Sequence, residues 1–197
     1  MPEAVEQPAW PALHHVTLKT TRKEEMIEWY RLVVGLEPNW NGPEGAWLSN
    51  DRANHRMALL VAPAVREDPD KLAHAGLHHT AYEFESVGGL LENYARLREH
   101  GIEPHITLDH GMTLSLYYLD PDGNSVELQV DNFLDWDKSS EWMRTSPEFS
   151  ANPIGTPCDP GGLLEAHRSG LNHDQLHRAA YAGEFPPTAQ PDPRLPV

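Results

Sequence analysis

Apolar and polar positions alternate most regularly between Thr113 and Val130. Leu114, Leu116 and Tyr118 fall on one side of an extended chain, with Thr113, Ser115 and Tyr117 on the other, which is the period-two pattern of a half-buried strand. Asp120-Pro121-Asp122-Gly123-Asn124 then predicts a hairpin turn, because Pro presets φ and Gly supplies a positive φ. Beyond it Val126, Leu128 and Val130 share one face, and Ser125, Glu127 and Gln129 the other. A single Glu on a strand is ordinarily solvated, so the hairpin alone predicts a surface Glu127.

Upstream, Leu13–Lys19 reads as a strand with Leu13, His15, Thr17 and Lys19 on one face. Thr20 or Thr21 can cap a helix, with Glu24 completing a capping box from Thr21. Met26, Trp29 or Tyr30, and Val33 give that helix its apolar stripe, and Gly35 ends it. Trp40, Trp47 and Leu48 lie among turn residues; Asn54–Ala62 reads as an apolar strand and Pro63–Lys71 as a charged linker.

The plan then recurs. Leu77–Glu83 (LHHTAYE) matches Leu13–Lys19 (LHHVTLK) 64 residues later. A helix follows, with Leu90 or Leu91, Tyr94 and Leu97, and Gly101-Ile102-Glu103-Pro104 matches Gly35-Leu36-Glu37-Pro38. Such self-similarity implies two copies of one strand–helix–strands unit. Neither copy is long enough to bury its sheet alone, so one domain built from the pair is expected. Its span is 13–132, with modules 13–62 and 77–132, after an arm at 1–12 and before an extension at 133–197. In the extension, Leu163–Ser169 and His173–Ala182 read as short helices stopped by Gly170 and Gly183, with Asn172 as an N-cap. From Pro186 the chain reads as a loose tail. Trp136 and Trp142 predict docking of the extension onto the domain or a neighbouring subunit, and a homo-oligomer is expected.

Composition narrows the partners. The formal net charge of −15 and the lack of a Lys/Arg run exclude nucleic acid and anionic membranes as natural partners. One cysteine, Cys158, excludes an intrachain disulfide, and nothing marks it as a nucleophile. No apolar run has the length of a signal or membrane segment, so a cytoplasmic protein is expected.

The histidines carry the chemistry. His15 and His79 hold equivalent positions in the two copies. If the copies pack about a pseudo-twofold axis, both can face one cleft, together with Glu127. Two neutral imidazoles and a carboxylate form the facial triad suited to non-haem Fe(II), or to Mn(II), with positions left open. His14 and His78 could each replace its neighbour; strand parity favours His15 and His79, because Val16, Leu18, Thr80 and Tyr82 read as core. His173 and His177 lie four residues apart on a helix, a spacing that can bind metal, but in a polar tail they read as a solvated face. His74, His100, His105 and His167 acquire no role.

These features resemble the vicinal oxygen chelate superfamily over roughly residues 13–132. The more specific resemblance is to type I extradiol ring-cleavage dioxygenases. Their signature is met by His110, Leu116-Tyr117, Asp120-Pro121, Gly123 and Glu127. Leu108 departs from it, standing where a Gly, Asn, Thr or β-branched residue is usual. Many members carry two double modules; this chain has one and resembles the small one-domain subgroup, whose C-terminal extension is similar to the stretch around Ser139–Phe149.

The resemblance implies an α+β fold of paired βαβββ modules and O₂-dependent cleavage of a small-molecule catechol beside its diol. It implies His15, His79 and Glu127 as metal ligands and Tyr117 as hydrogen-bond partner of a substrate hydroxyl. His110 would lie over the oxygen site and His55 would act as acid and base; no organic cofactor is implied. A rival is a glyoxalase-type isomerase, which needs a further ligand or base equivalent to Glu127 in the first copy. The repeat offset places that position at Val61, among apolar neighbours. A second rival is a resistance-type binding or thiol-transfer module on the same fold.

Overall fold

The computed structural model describes residues 10–196. Most of the arm expected at 1–12 lies outside the described residues. Compactness divides the chain after Arg66 into two units.

In the first unit, strand β1 (Val16–Lys19) leads into helix α1 (Lys23–Val34), followed by β2 (Glu37–Gly42), β3 (Gly45–Ser49) and β4 (Met57–Leu60). The sheet order is β1-β4-β3-β2, with β1 parallel to β4 and the other pairs antiparallel. Met26, Ile27, Tyr30 and Val33 form the buried stripe of α1, so Tyr30 rather than Trp29 fills the central position. Gly35 ends α1 in the left-handed region at φ 76°. The expected capping box from Thr21 does not form. Arg22 is the N-cap and supplies no side-chain cap, while the Thr20 hydroxyl accepts the Arg22 N–H at 2.9 Å. Trp40 and Trp47 are not turn residues: they face each other across β2 and β3, rings 4.3 Å apart. The strand expected over Asn54–Ala62 shrinks to Met57–Leu60, because the Asp51 carboxylate accepts the Ala53 N–H and pairs with Arg56, folding the approach into a bend.

The second unit repeats the plan with β5 (His79–Glu83), α2 (Val87–Glu99), β6 (Ile106–Asp109), β7 (Thr113–Leu119) and β8 (Ser125–Asp131). Its sheet order is β5-β8-β7-β6-β9, with β5 parallel to β8 and a two-residue β9 (Thr156–Pro157) added at the edge. Ser86 caps α2, and its buried stripe is Val87, Leu90, Leu91, Tyr94 and Leu97. The predicted turn forms with Gly123 at φ 72°, and the Asp120 carboxylate accepts the Asn124 N–H at 2.8 Å. Four further helices complete the unit: α3 (Trp136–Thr145), α4 (Pro147–Ala151), α5 (Pro160–Arg168) and α6 (His173–Tyr181). Asn172 caps α6 in a reciprocal capping box with Gln175. Trp142 packs among Phe133, Phe149 and Tyr181. Trp136 instead stays 69% exposed and donates its indole N–H to Glu83. No helix among the described residues is long and apolar enough to cross a membrane.

Candidate active site

Cross-strand register sets the rows of side chains on each sheet, because paired residues share a face. In the second unit one row runs Ala81, Glu127, Tyr117, Ile106, and the next runs His79, Ser125, Leu119. The opposite face holds Tyr82, Val126, Leu128, Leu116 and Tyr118. Period-two alternation thus delivers Glu127, Tyr117 and His79 to one surface. Glu127 is only 5% exposed, so the ordinary expectation of a solvated strand Glu fails here.

Glu127 is satisfied as a carboxylate. Its Oε1 accepts the Tyr117 hydroxyl at 2.9 Å, and its Oε2 lies 3.1 Å from His79 Nε2. Burial opposes ionisation, but the polar side chains of His79, Ser115 and Tyr117 around the carboxylate outweigh it and hold Glu127 below the usual carboxylate range. Burial and the Glu127 charge push Tyr117 well above an ordinary phenol, so it stays protonated. His110 Nε2 lies 2.8 Å from the Tyr117 hydroxyl, and His110 Nδ1 donates to the Ile154 carbonyl at 2.6 Å. Gly155 makes this possible: a Cβ there would lie 2.2 Å from the Asp109 carbonyl oxygen and 2.6 Å from His110 Cα. His79, Glu127, Tyr117 and His110 therefore form one continuous polar chain within the second unit.

Within the first unit, His14, His15 and His55 come together. The His15 and His55 ring centroids are 4.2 Å apart, and each of the three histidines offers a nitrogen within 4.8 Å of the others. His55 precedes β4 rather than lying on a strand, and its Nδ1 pairs with Asn54 Oδ1 at 2.7 Å. Partial burial, then the neighbouring charges of His15 and His14, lower its pKa.

The donor set fits a cation. His78 Nε2 faces the Pro193 carbonyl at 3.1 Å, and a carbonyl can only accept, so this nitrogen carries the proton. Neutral His78 then offers a bare Nδ1 to His79 Nδ1 at 2.8 Å, which must donate. That leaves the His79 Nε2 lone pair facing the Glu127 carboxylate. Two acceptors 3.1 Å apart need a proton or a metal ion between them.

The register corrects the position tested for the isomerase reading. Glu127 pairs with Ala81 and Tyr117; the corresponding strand partners in the first unit are Thr17, Ala58 and Trp47. The equivalent of Glu127 is therefore Ala58, not Val61, because the bend before β4 shortens the first copy's return. Ala58 has no ligand atom, so the first unit offers no second carboxylate there.

Other histidines were misread from sequence. His177 is not solvated: its Nδ1 lies 2.9 Å from the fully buried Asp109 carboxylate. His173 Nε2 meets Asn132 Oδ1 at 3.1 Å, and Asn132 Nδ2 reaches Asp109. This network ties α6 to Asp109, the residue before His110, and to Asn132. His105 is half-buried and bonds Ser125. The sequence signal for both lies in what precedes them or faces them, a buried Asp109 and a site-facing Ser125, and neither burial can be read from the tail itself. Cys158 is buried, with its thiol pushed up to about 12 by burial and the Asp109 charge, so it is unreactive.

The model of the Glyoxalase/Bleomycin resistance protein/Dioxygenase superfamily matches residues 12–128. The chain belongs to this superfamily. Within it, the chain is 41% identical over 187 residues to biphenyl-2,3-diol 1,2-dioxygenase 2 of Rhodococcus globerulus, covering 95% of this chain and 97% of that protein. It is 38% identical over 172 residues to biphenyl-2,3-diol 1,2-dioxygenase 3 of the same organism, covering 87% and 90%. Among solved structures, a glyoxylase/bleomycin resistance protein/dioxygenase domain from Frankia sp. EAN1pec aligns with a TM-score of 0.52 at 18% identity, over 62% of this chain and 93% of that one. This last likeness concerns the fold alone.

Proposed function

We propose that this protein is an extradiol dioxygenase that opens a catecholic ring with O₂ at a mononuclear Fe(II). The ligands would be His15, His79 and Glu127, with Mn(II) able to suit the same donors. The observation that carries the reading is the buried Glu127 with His79 Nε2 3.1 Å from one oxygen and the Tyr117–His110 pair on the other. The two Rhodococcus relatives bear names that specify the 1,2 bond of a 2,3-diol, a bond outside the pair of hydroxylated carbons. The same regiochemistry is proposed here.

Bound Fe(II) would supply a centre of about +1 net charge, to which a catecholate monoanion and O₂ could both attach. The remaining work falls to side chains. Tyr117, held as a phenol, orients a diol oxygen beside Glu127. His110, aimed by the Ile154 carbonyl, holds the Tyr117 hydroxyl through its Nε2 and would lie over the oxygen side of the site. His55, a histidine biased to its neutral form, takes the second diol proton and later returns it. An intradiol enzyme would instead need tyrosinate ligands, and burial beside Glu127 keeps Tyr117 protonated. The isomerase alternative is disfavoured by Ala58 at the position where a second carboxylate would sit.

The test is oxygen uptake by the Fe(II)-reconstituted protein on a panel of catechols that includes 2,3-dihydroxybiphenyl. Uptake with formation of a yellow ring-opened product is expected. No uptake with any catechol, alongside isomerisation of a glutathione adduct, would overturn the reading.

A further inference from the structure

The sequence beyond Pro186 reads as a loose tail, yet residues 192–194 are tied to the second unit at defined points. The Asp192 N–H donates to the His105 carbonyl at 3.1 Å, and His105 Nδ1 returns a bond to the Asp192 carbonyl at 2.7 Å. One residue on, the Pro193 carbonyl lies 3.1 Å from His78 Nε2. The turn is closed on itself: the Arg194 N–H donates to Asp192 Oδ1 at 2.9 Å, with Arg194 at φ 54°. The backbone leading to His78 is anchored separately, by Lys71 Nζ on the Asp122 carbonyl at 2.5 Å. The tail's hydrogen bond to the His78 ring is the Pro193 carbonyl.

We propose that the C-terminal segment Asp192–Arg194 is a positioning strap that, through the Pro193 carbonyl and His78, fixes the orientation and tautomer of His79. The proposal rests on the reading of His79 as a metal ligand. The Pro193 carbonyl puts the proton of His78 on Nε2, His78 Nδ1 then accepts from His79 Nδ1, and His79 Nε2 is left bare beside Glu127. A ligand histidine whose other nitrogen has a fixed partner is pre-oriented and more basic toward a metal. In the first unit His14 and His15 make the same Nδ1-to-Nδ1 contact at 3.0 Å, so the paired-histidine device recurs, and the second unit adds a carbonyl that sets its direction.

Co(II) binding to the metal-free chain, followed by its ligand-field absorption, tests this without turnover. Truncation after Gln190 and His78→Phe should each weaken Co(II) binding by about 10–100-fold, the usual effect of losing a ligand's supporting partner. His78→Asn places a side-chain oxygen where Nδ1 stood and should recover most of the affinity. Truncation after Arg194 should bind as the full chain does. Circular dichroism checks that each variant is folded; if truncation after Gln190 prevents folding, the two His78 variants decide. Full-chain affinity in His78→Phe, when His79→Ala has lost Co(II), would overturn the strap and leave the metal site standing. Full-chain affinity in His79→Ala would instead remove the metal reading, and the strap with it.

Discussion

The two units share one topology and differ in what they place on the same row of the sheet. The second unit's row reads Ala81, Glu127, Tyr117, Ile106; the first unit's reads Thr17, Ala58, Trp47, Trp40. Each unit sets a histidine two residues ahead of its row, His79 and His15. Where the second unit buries a carboxylate and a phenol, the first has a methyl group and an indole. The repeat supplies the scaffold twice and the anionic chemistry once. A single carboxylate suits a site meant to hold a dication at low net charge with positions left open, whereas a carboxylate from each copy would fill one of them.

The largest expected effect comes from removing that difference. Glu127→Ala makes the second row resemble the first, and it should abolish metal retention and activity in a protein that remains folded. His15→Ala and His79→Ala should do the same. Metal content by elemental analysis checks this, and full occupancy in all three would break the comparison.

Next comes His55→Ala, which removes the proposed proton carrier and leaves the proposed ligands His15, His79 and Glu127. Turnover should fall by roughly two to four orders of magnitude, the scale of a lost acid or base, with metal still bound. Loss of the metal together with the activity would place His55 among the ligands instead.

The smallest effect tests how the extension supports the second unit. His177→Ala leaves the buried Asp109 carboxylate without one of its partners, while Gly111 N–H and Asn132 remain. The cost should be about 1–3 kcal/mol, measured by urea unfolding, with Co(II) affinity unchanged. An unaltered unfolding midpoint would return His177 to the surface role that its sequence context suggests.

Legibility followed locality. The hairpin from Thr113 to Val130 is readable because alternation and turn chemistry are local signals, and its residues share faces as the pattern predicts, although both faces are buried where the pattern predicts one. The repeat was readable because Leu-His-His recurs, and both copies do form strand–helix–three strands. What sequence missed depends on contacts distant along the chain. The Trp40–Trp47 hairpin contains Gly42, Pro43 and Gly45, so it reads as turns, yet pairing of the two indoles holds it as strands. The Ala58 equivalence needed the register, since a bend of a few residues defeats a fixed offset. His177, His105 and His78 owe their roles to Asp109, Asp192 and Pro193, partners 68, 87 and 115 residues away. No local pattern encodes those.

The central claim is that this arrangement directs both atoms of O₂ into a bond beside the diol. It is tested most directly by turning over 2,3-dihydroxybiphenyl under ¹⁸O₂ with the Fe(II)-loaded protein and weighing the product. The account predicts a ring-opened, yellow conjugated product carrying both labelled oxygen atoms, cut next to the two hydroxylated carbons. A muconic acid, cut between those carbons, would contradict it.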